Sequence, residues 1–263
     1  MAEAQGKAAI VTGANGVIGQ GICKGLAERD HEVVMVCRSP ERARQAESEI
    51  EKAVPGARLR SEIVDVSRRA EVLAFASRFT GRLDVLVNNA AIAPRRRSVT
   101  PEGIEMEFAT NVLGYVWMMQ AFEQTLLASA PARIVNVASY WAGDLELDDL
   151  EFKRRPYNND TAYRQSKQCD RMLTVAFARR WPSSQLTVNA CHPGDVHSTL
   201  SHALGYGGHE SPEQGADTPV WLATDPSVAG ITGKYFAGRR QQACAFAKDE
   251  KGIARLVEIC AKV

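Results

Sequence analysis

No stretch of the chain stays apolar for the roughly 18 residues that a membrane-crossing helix requires, so the sequence offers no helical bilayer span. It also lacks a dominant charge. Lys and Arg total 32 against 31 Asp and Glu, with the two signs interspersed, and this excludes the broad basic footprint of a nucleic-acid or anionic-membrane binder. A small-molecule partner is favoured instead. The 6 cysteines form no C-x-x-C pair and several sit in apolar runs, where a thiol behaves as a small hydrophobe; a reduced chain is expected. His192, His197, His202 and His209 lack the spacing of a metal site, and no metal is expected. The opening residues, MAEAQGK, carry no charged start followed by an apolar signal core, so the expected location is cytoplasmic. Internal repeats, low-complexity tracts and an inter-domain linker are likewise missing.

What is present is a regular alternation. Short runs rich in β-branched residues at 8–12, 32–37, 59–64 and 83–88 read as buried parallel strands, separated by helical stretches at 16–29, 41–52 and 67–80. The pattern resumes with strands at 133–138 and 186–191, a long helix at 161–180, and a last short strand near 234–236. Strand and helix at this interval predict an α/β fold in one domain spanning 1–263: a doubly wound parallel sheet with helices on both faces. Two irregular stretches interrupt it, an acidic then basic loop at 143–160 and a Gly-, Ser- and His-rich segment at 197–215. Long loops on such a scaffold are usually functional or flexible, and these two are the expected substrate loops.

The first strand runs into Thr12-Gly13-Ala14-Asn15-Gly16-Val17-Ile18-Gly19. Glycines here let the backbone turn sharply and approach a pyrophosphate, while the following helix start offers unpaired N–H groups. A strand before and a helix after are the context such a motif needs. Gly13, Asn15, Gly16, Val17, Ile18 and Gly19 are therefore the expected phosphate-binding set. The second strand ends at Cys37-Arg38-Ser39, where an acidic side chain would favour the free ribose hydroxyl of NAD. Arg38 suits a 2′-phosphate instead, so the expected cofactor is NADP(H).

Tyr163 and Lys167 lie one turn apart on a predicted helix and share a face. A phenol is a poor acid or base at neutral pH, but a nearby ammonium favours phenolate and lowers its pKa. Chance supplies such pairs often enough that companions must decide. Ser139, at a strand end, is one: its hydroxyl is placed to hydrogen-bond a substrate oxygen.

Together these elements, with Asp65-Val66, Asn88-Asn89-Ala90-Ala91, Asn111 and Pro193-Gly194, resemble the short-chain dehydrogenase/reductase family along essentially the whole chain. The resemblance implies a Rossmann fold. It implies a catalytic set of Ser139, Tyr163, Lys167 and Asn111, with Asn111 holding a water-linked relay to Lys167. It further implies that Asp65 and Val66 border the adenine, that Asn89 and Ala90 lie by the cofactor ribose, and that Pro193, Gly194, Val196 and Ser198 flank the nicotinamide. Tyr163 and Lys167 would also touch the cofactor. The run from Asp148 to Lys167 and the segment Thr232-Gly-Lys-Tyr-Phe236 look like the retinol-dehydrogenase-like branch, which also carries an insertion between Ser and Tyr; 23 residues separate Ser139 from Tyr163.

Three positions depart from the family pattern. Val17 stands where the short form has glycine, Ala91 replaces a glycine, and Ser198 stands where a threonine contacts the carboxamide. The expected function is hydride transfer between nicotinamide C4 and a carbonyl or alcohol of an apolar small molecule, with a homodimer as the family-level expectation. The alternatives are an epimerase-type or C=C-reducing reaction, or a non-enzymatic NADP-sensing protein. Arg95, Arg96 and Arg97 read as a solvated loop, and Trp117 as core.

Overall fold

A computed structural model describes residues 6–263. Six parallel strands form its spine: β1 Ala8–Thr12, β2 Glu32–Cys37, β3 Leu59–Ile63, β4 Val85–Asn88, β5 Ala132–Val137 and β6 Leu186–His192. A seventh, β7 Tyr235–Ala237, adds in parallel, and β8 Arg240–Gln242 closes the edge antiparallel, giving the order β3-β2-β1-β4-β5-β6-β7-β8. The strand expected last is thus followed by one more, three exposed residues whose polar character gave no periodic signal.

Alternation within each strand sorts the core into two layers. Ile10, Val34, Leu86, Ile134 and Val188 face one way, against α3 Arg69–Arg78, α4 Gly114–Ala121, α5 Glu123–Ala128, α6 Asn159–Ala178 and α9 Glu250–Ala261. Val11, Val33, Val87 and Val135 face the other, against α1 Val17–Ala27, α2 Pro40–Ala53 and α8 Pro212–Thr224. Side chains of period two on a sheet covered on both faces must be apolar at nearly every position, as these strands are.

Local chemistry starts the helices where expected. Ser39 caps α2, accepting from the Arg42 N–H with Pro40 in the first turn, and Asn158 caps α6 by accepting from the Thr161 N–H. The 197–215 segment is more ordered than the irregular loop expected of it: it contains α7 Thr199–Ala203 and runs into α8, each opened by a serine in a reciprocal capping box. The 143–160 stretch carries no regular element until α6, yet Leu150 and Phe152 are buried within it.

Candidate active site

In an open parallel sheet the ligand crevice forms outside the carboxyl ends of the strands, where the strand order reverses. Here the reversal lies between β1 and β4, and the expected site residues sit at that edge, in α6 or, for Asn111, in a π-helical turn. The glycine turn follows β1, Arg38 follows β2, Asp65 and Val66 follow β3, Asn89 and Ala90 follow β4, Ser139 follows β5, and Pro193 to Ser198 follow β6.

The β1 turn is built for close approach. Gly13 has φ +63°, and a Cβ there would come within 2.8 Å of Ala90 Cα. A Cβ on Gly19 would lie 2.2 Å from the Gly13 carbonyl oxygen, so the helix packs against its own entering turn only as glycine. The Thr12 hydroxyl accepts from the N–H groups of Asn89 (2.9 Å) and Ala90 (3.1 Å), and the Asn89 amide donates back to the Thr12 carbonyl, tying β1 to β4 across the crevice. Gly16 begins α1 without a side-chain cap and the first turn holds no acid, so the N–H groups of Val17, Ile18 and Gly19 are left for a ligand. A phosphate group fits that cradle. Arg38 is exposed, and no hydrogen bond or ion pair engages its side chain among the described residues. Asp65 holds its own turn, accepting from the Ser67 N–H and hydroxyl, and Ser198 spends its hydroxyl capping α7.

The catalytic candidates converge under α6. Tyr163 and Ser139 are buried, at 5% and 4% exposure. Burial pushes the Tyr163 phenol well above its usual range, Tyr206 raises it further, and the Ser139 hydroxyl pulls it back down. Lys167 Nζ donates to the Val137 carbonyl (3.0 Å) and to Asp170 Oδ2 (2.9 Å), and lies 5.8 Å from the Tyr163 ring centre. The Tyr115 hydroxyl donates to the same Val137 carbonyl at 3.1 Å. Arg171 reaches the Ser139 carbonyl while stacking 3.6 Å over Tyr235. Asp170 and Arg171 had no part in the sequence-based site, because an acid or a cation in a helix reads by default as solvated, and neither had Tyr115, which reads as core among apolar neighbours.

Asn111 is fully buried in a π-helical turn, Phe108–Leu113, of the kind that often marks functional sites. Its amide oxygen accepts from the Ile92 N–H, and its nitrogen shares two protons among three acceptors in reach, the Ile92 carbonyl, Ser166 Oγ and, at 3.3 Å, Glu107 Oε1, while Ser166 in turn donates to the Tyr163 carbonyl. A polar chain therefore runs from the π turn to the helix bearing Tyr163. Glu107, also absent from the expected set, has its carboxyl pushed up to about 9, mainly by burial.

The mouth is aromatic. Tyr140 and Trp141 are half exposed, Tyr140 packs edge-on to His192 at 4.5 Å, and its hydroxyl donates to Asp195 at 3.3 Å. Beside it a cavity of about 500 Å³ is lined by Pro193, Gly194, Glu210 and neighbouring residues of α8. Gly194 is at φ +115°, a backbone conformation in which any other side chain is strained, and a Cβ there would also displace the Glu210 carboxylate.

The profile of the short chain dehydrogenase family matches residues 7–206. The chain belongs to that family. Human retinol dehydrogenase 13 is similar to it, at 33% identity over 95% of this chain and 82% of the relative. So is a probable oxidoreductase of Streptomyces antibioticus, at 35% identity over 90% and 86%. These relatives bear out the retinol-dehydrogenase-like branch within the family. Among solved structures, an uncharacterised protein of Mycobacterium paratuberculosis superposes with a TM-score of 0.79, at 25% identity over 98% of this chain and 94% of that one. A metagenomic short-chain oxidoreductase in complex with NADP superposes at 0.67, with 26% identity over 88% and 95%. The family fold is therefore the Rossmann fold expected of the strand pattern, and the family's chemistry is oxidoreduction at CH–OH or C=O groups of small molecules.

Proposed function

We propose that the protein is an NADP(H)-dependent oxidoreductase that interconverts a carbonyl and an alcohol on an apolar small molecule. The observation that carries this reading is the convergence of Ser139, Tyr163, Lys167 and Asn111 at the carboxyl edge of the sheet, beside a turn shaped for a dinucleotide phosphate. NADPH supplies a hydride when bound. The glycine turn and the α1 N–H groups would hold its pyrophosphate, and the unengaged Arg38 its 2′-phosphate. Ser139 would orient the substrate oxygen and Tyr163 would pass it a proton. Lys167 would favour the phenolate by its charge, while Asn111 fixes the segment that feeds Lys167. The rings of Tyr140, Trp141 and Tyr206 at the mouth support an apolar substrate. A cytoplasmic location belongs to the same proposal, on the strength of 6 free thiols.

The test is NADPH oxidation against retinoids, steroids, aromatic aldehydes and quinones, with NADH as control. Stoichiometric NADPH consumption is expected, which an epimerase would not show, and analysis of the product separates C=O from C=C reduction. Tyr163→Phe should lower turnover roughly 100- to 10,000-fold. Arg38→Ala should weaken NADPH about 10- to 100-fold and leave NADH nearly unchanged. Equal rates with NADH in the parent protein would overturn the NADP assignment, and the absence of turnover with every substrate class would favour a sensor.

A further inference from the structure

Tyr163, Lys167 and Asp170 succeed one another along one face of α6. Lys167 and Asp170 are almost wholly buried, with side chains 1% and 0% exposed, and they meet at 2.9 Å. Asp170 Oδ2 takes that ammonium, while Oδ1 has no hydrogen-bond partner among the described residues. Such a pair is expensive to bury, and an apolar residue at 170 would cost the fold less. Of the three ammonium protons, two go to Asp170 and to the Val137 carbonyl. The third is left on the side of the aromatic rings, 5.0 Å from Tyr115 and 5.8 Å from Tyr163.

We propose that Asp170 is a positioning residue, the counter-ion that anchors Lys167 against β5, and that its charge beside that ammonium sets the pH at which Tyr163 releases its proton. The inference rests on the hydride-transfer reading. Other groups facing the pair leave it little competition. Burial keeps the Tyr115 phenol from α4 and the Cys191 thiol from β6 protonated, and Cys260 from α9 is pushed up to about 12. Glu107 on the π turn and Tyr206 beyond β6 are raised by burial as well. Arg171, the next residue along, turns to the Ser139 carbonyl and the Tyr235 ring. Burial lifts the Asp170 carboxyl to about 6 against the pull of Lys167, so above that pH it stands as an anion and opposes phenolate formation at Tyr163.

One consequence follows for Asp170→Asn. The ammonium's field at Tyr163 is no longer offset, so the acid limb of alcohol oxidation moves down. The experiment is the pH profile of kcat for NADP-dependent alcohol oxidation in the parent, Asp170→Asn and Asp170→Glu. The acid limb should fall by about one pH unit, a tenfold change in proton concentration, and Asp170→Glu should restore it. Asp170→Ser serves the same comparison if the asparagine variant does not fold. Superimposable profiles in parent and variant would overturn the inference. Absence of Tyr163-dependent turnover in the parent would instead overturn the reading beneath it.

Discussion

The Tyr157 hydroxyl lies 2.9 Å from two acceptors, the Pro94 carbonyl oxygen and Glu107 Oε2, and has one proton for both. Both bonds form only if Glu107 keeps its own proton and donates it to Tyr157, which agrees with a carboxyl raised by burial to about 9. The linkage sign follows. Folded Glu107 binds its proton more tightly than the unfolded chain does, so its stabilisation is complete below pH ~4.5, wanes as pH rises, and is fully lost above about 9. Glu107→Gln mimics the protonated acid, its amide donating to Tyr157 and its oxygen accepting from Asn111. The variant should match the parent at pH 5 in urea unfolding and exceed it by at least about 1 kcal/mol at pH 8. Parallel stability curves would show that Glu107 is already ionised in the fold. Residues such as Glu107 and Asp170 were illegible in the sequence because the burial that changes their chemistry comes from distant elements. Gly13 and Gly19 were legible because the constraint on them is local.

At the scale of elements, strands showed themselves through β-branched runs and helices through caps, and α6 was read within two residues of its bounds at either end. The π turn with α4 carried no such signal, for a helix buried all round has no polar face to give it a period, and α5, six residues with only Leu126 buried, is too short to show one. The 143–160 loop was recognised as irregular, but what orders it was not. The Asp149 carboxylate accepts the N–H groups of Lys153, Arg154 and Arg155 and pairs with the Arg155 guanidinium. Burial alone would raise its pKa; those N–H groups and the guanidinium outweigh burial and hold it low. One side chain thus closes the turn that leads into the Asn158 cap and on to Tyr163. Asp149→Ala should release the loop locally, so that trypsin cuts after Lys153 and Arg154 about 5- to 100-fold faster than in the parent, with the global melting temperature little changed. An unchanged cleavage rate would mean that Leu150 and Phe152, buried beneath the loop, order it without the carboxylate.

For the whole molecule, the decisive packing is three layers deep on one side: sheet, α6, then α9. Because α6 presents the site to the sheet, its outer face needs cover, and α9 brings Ile253, Leu256 and Cys260 into the same apolar layer as Met172 and Leu173. The last helix therefore holds α6 against β5 and β6. Leu256, at 0% exposure, is the most deeply buried of these three side chains. Leu256→Ala removes buried methyl groups and leaves a cavity, at a cost of about 2–5 kcal/mol, which in a domain of this size lowers the melting temperature by roughly 4–20 °C. Below that lowered transition the site is still assembled, so KM for NADPH should stay near the parent value while thermal inactivation comes sooner. A raised KM at low temperature, with the melting temperature unmoved, would show that α9 acts on the crevice itself rather than on the stability of the layer that carries it.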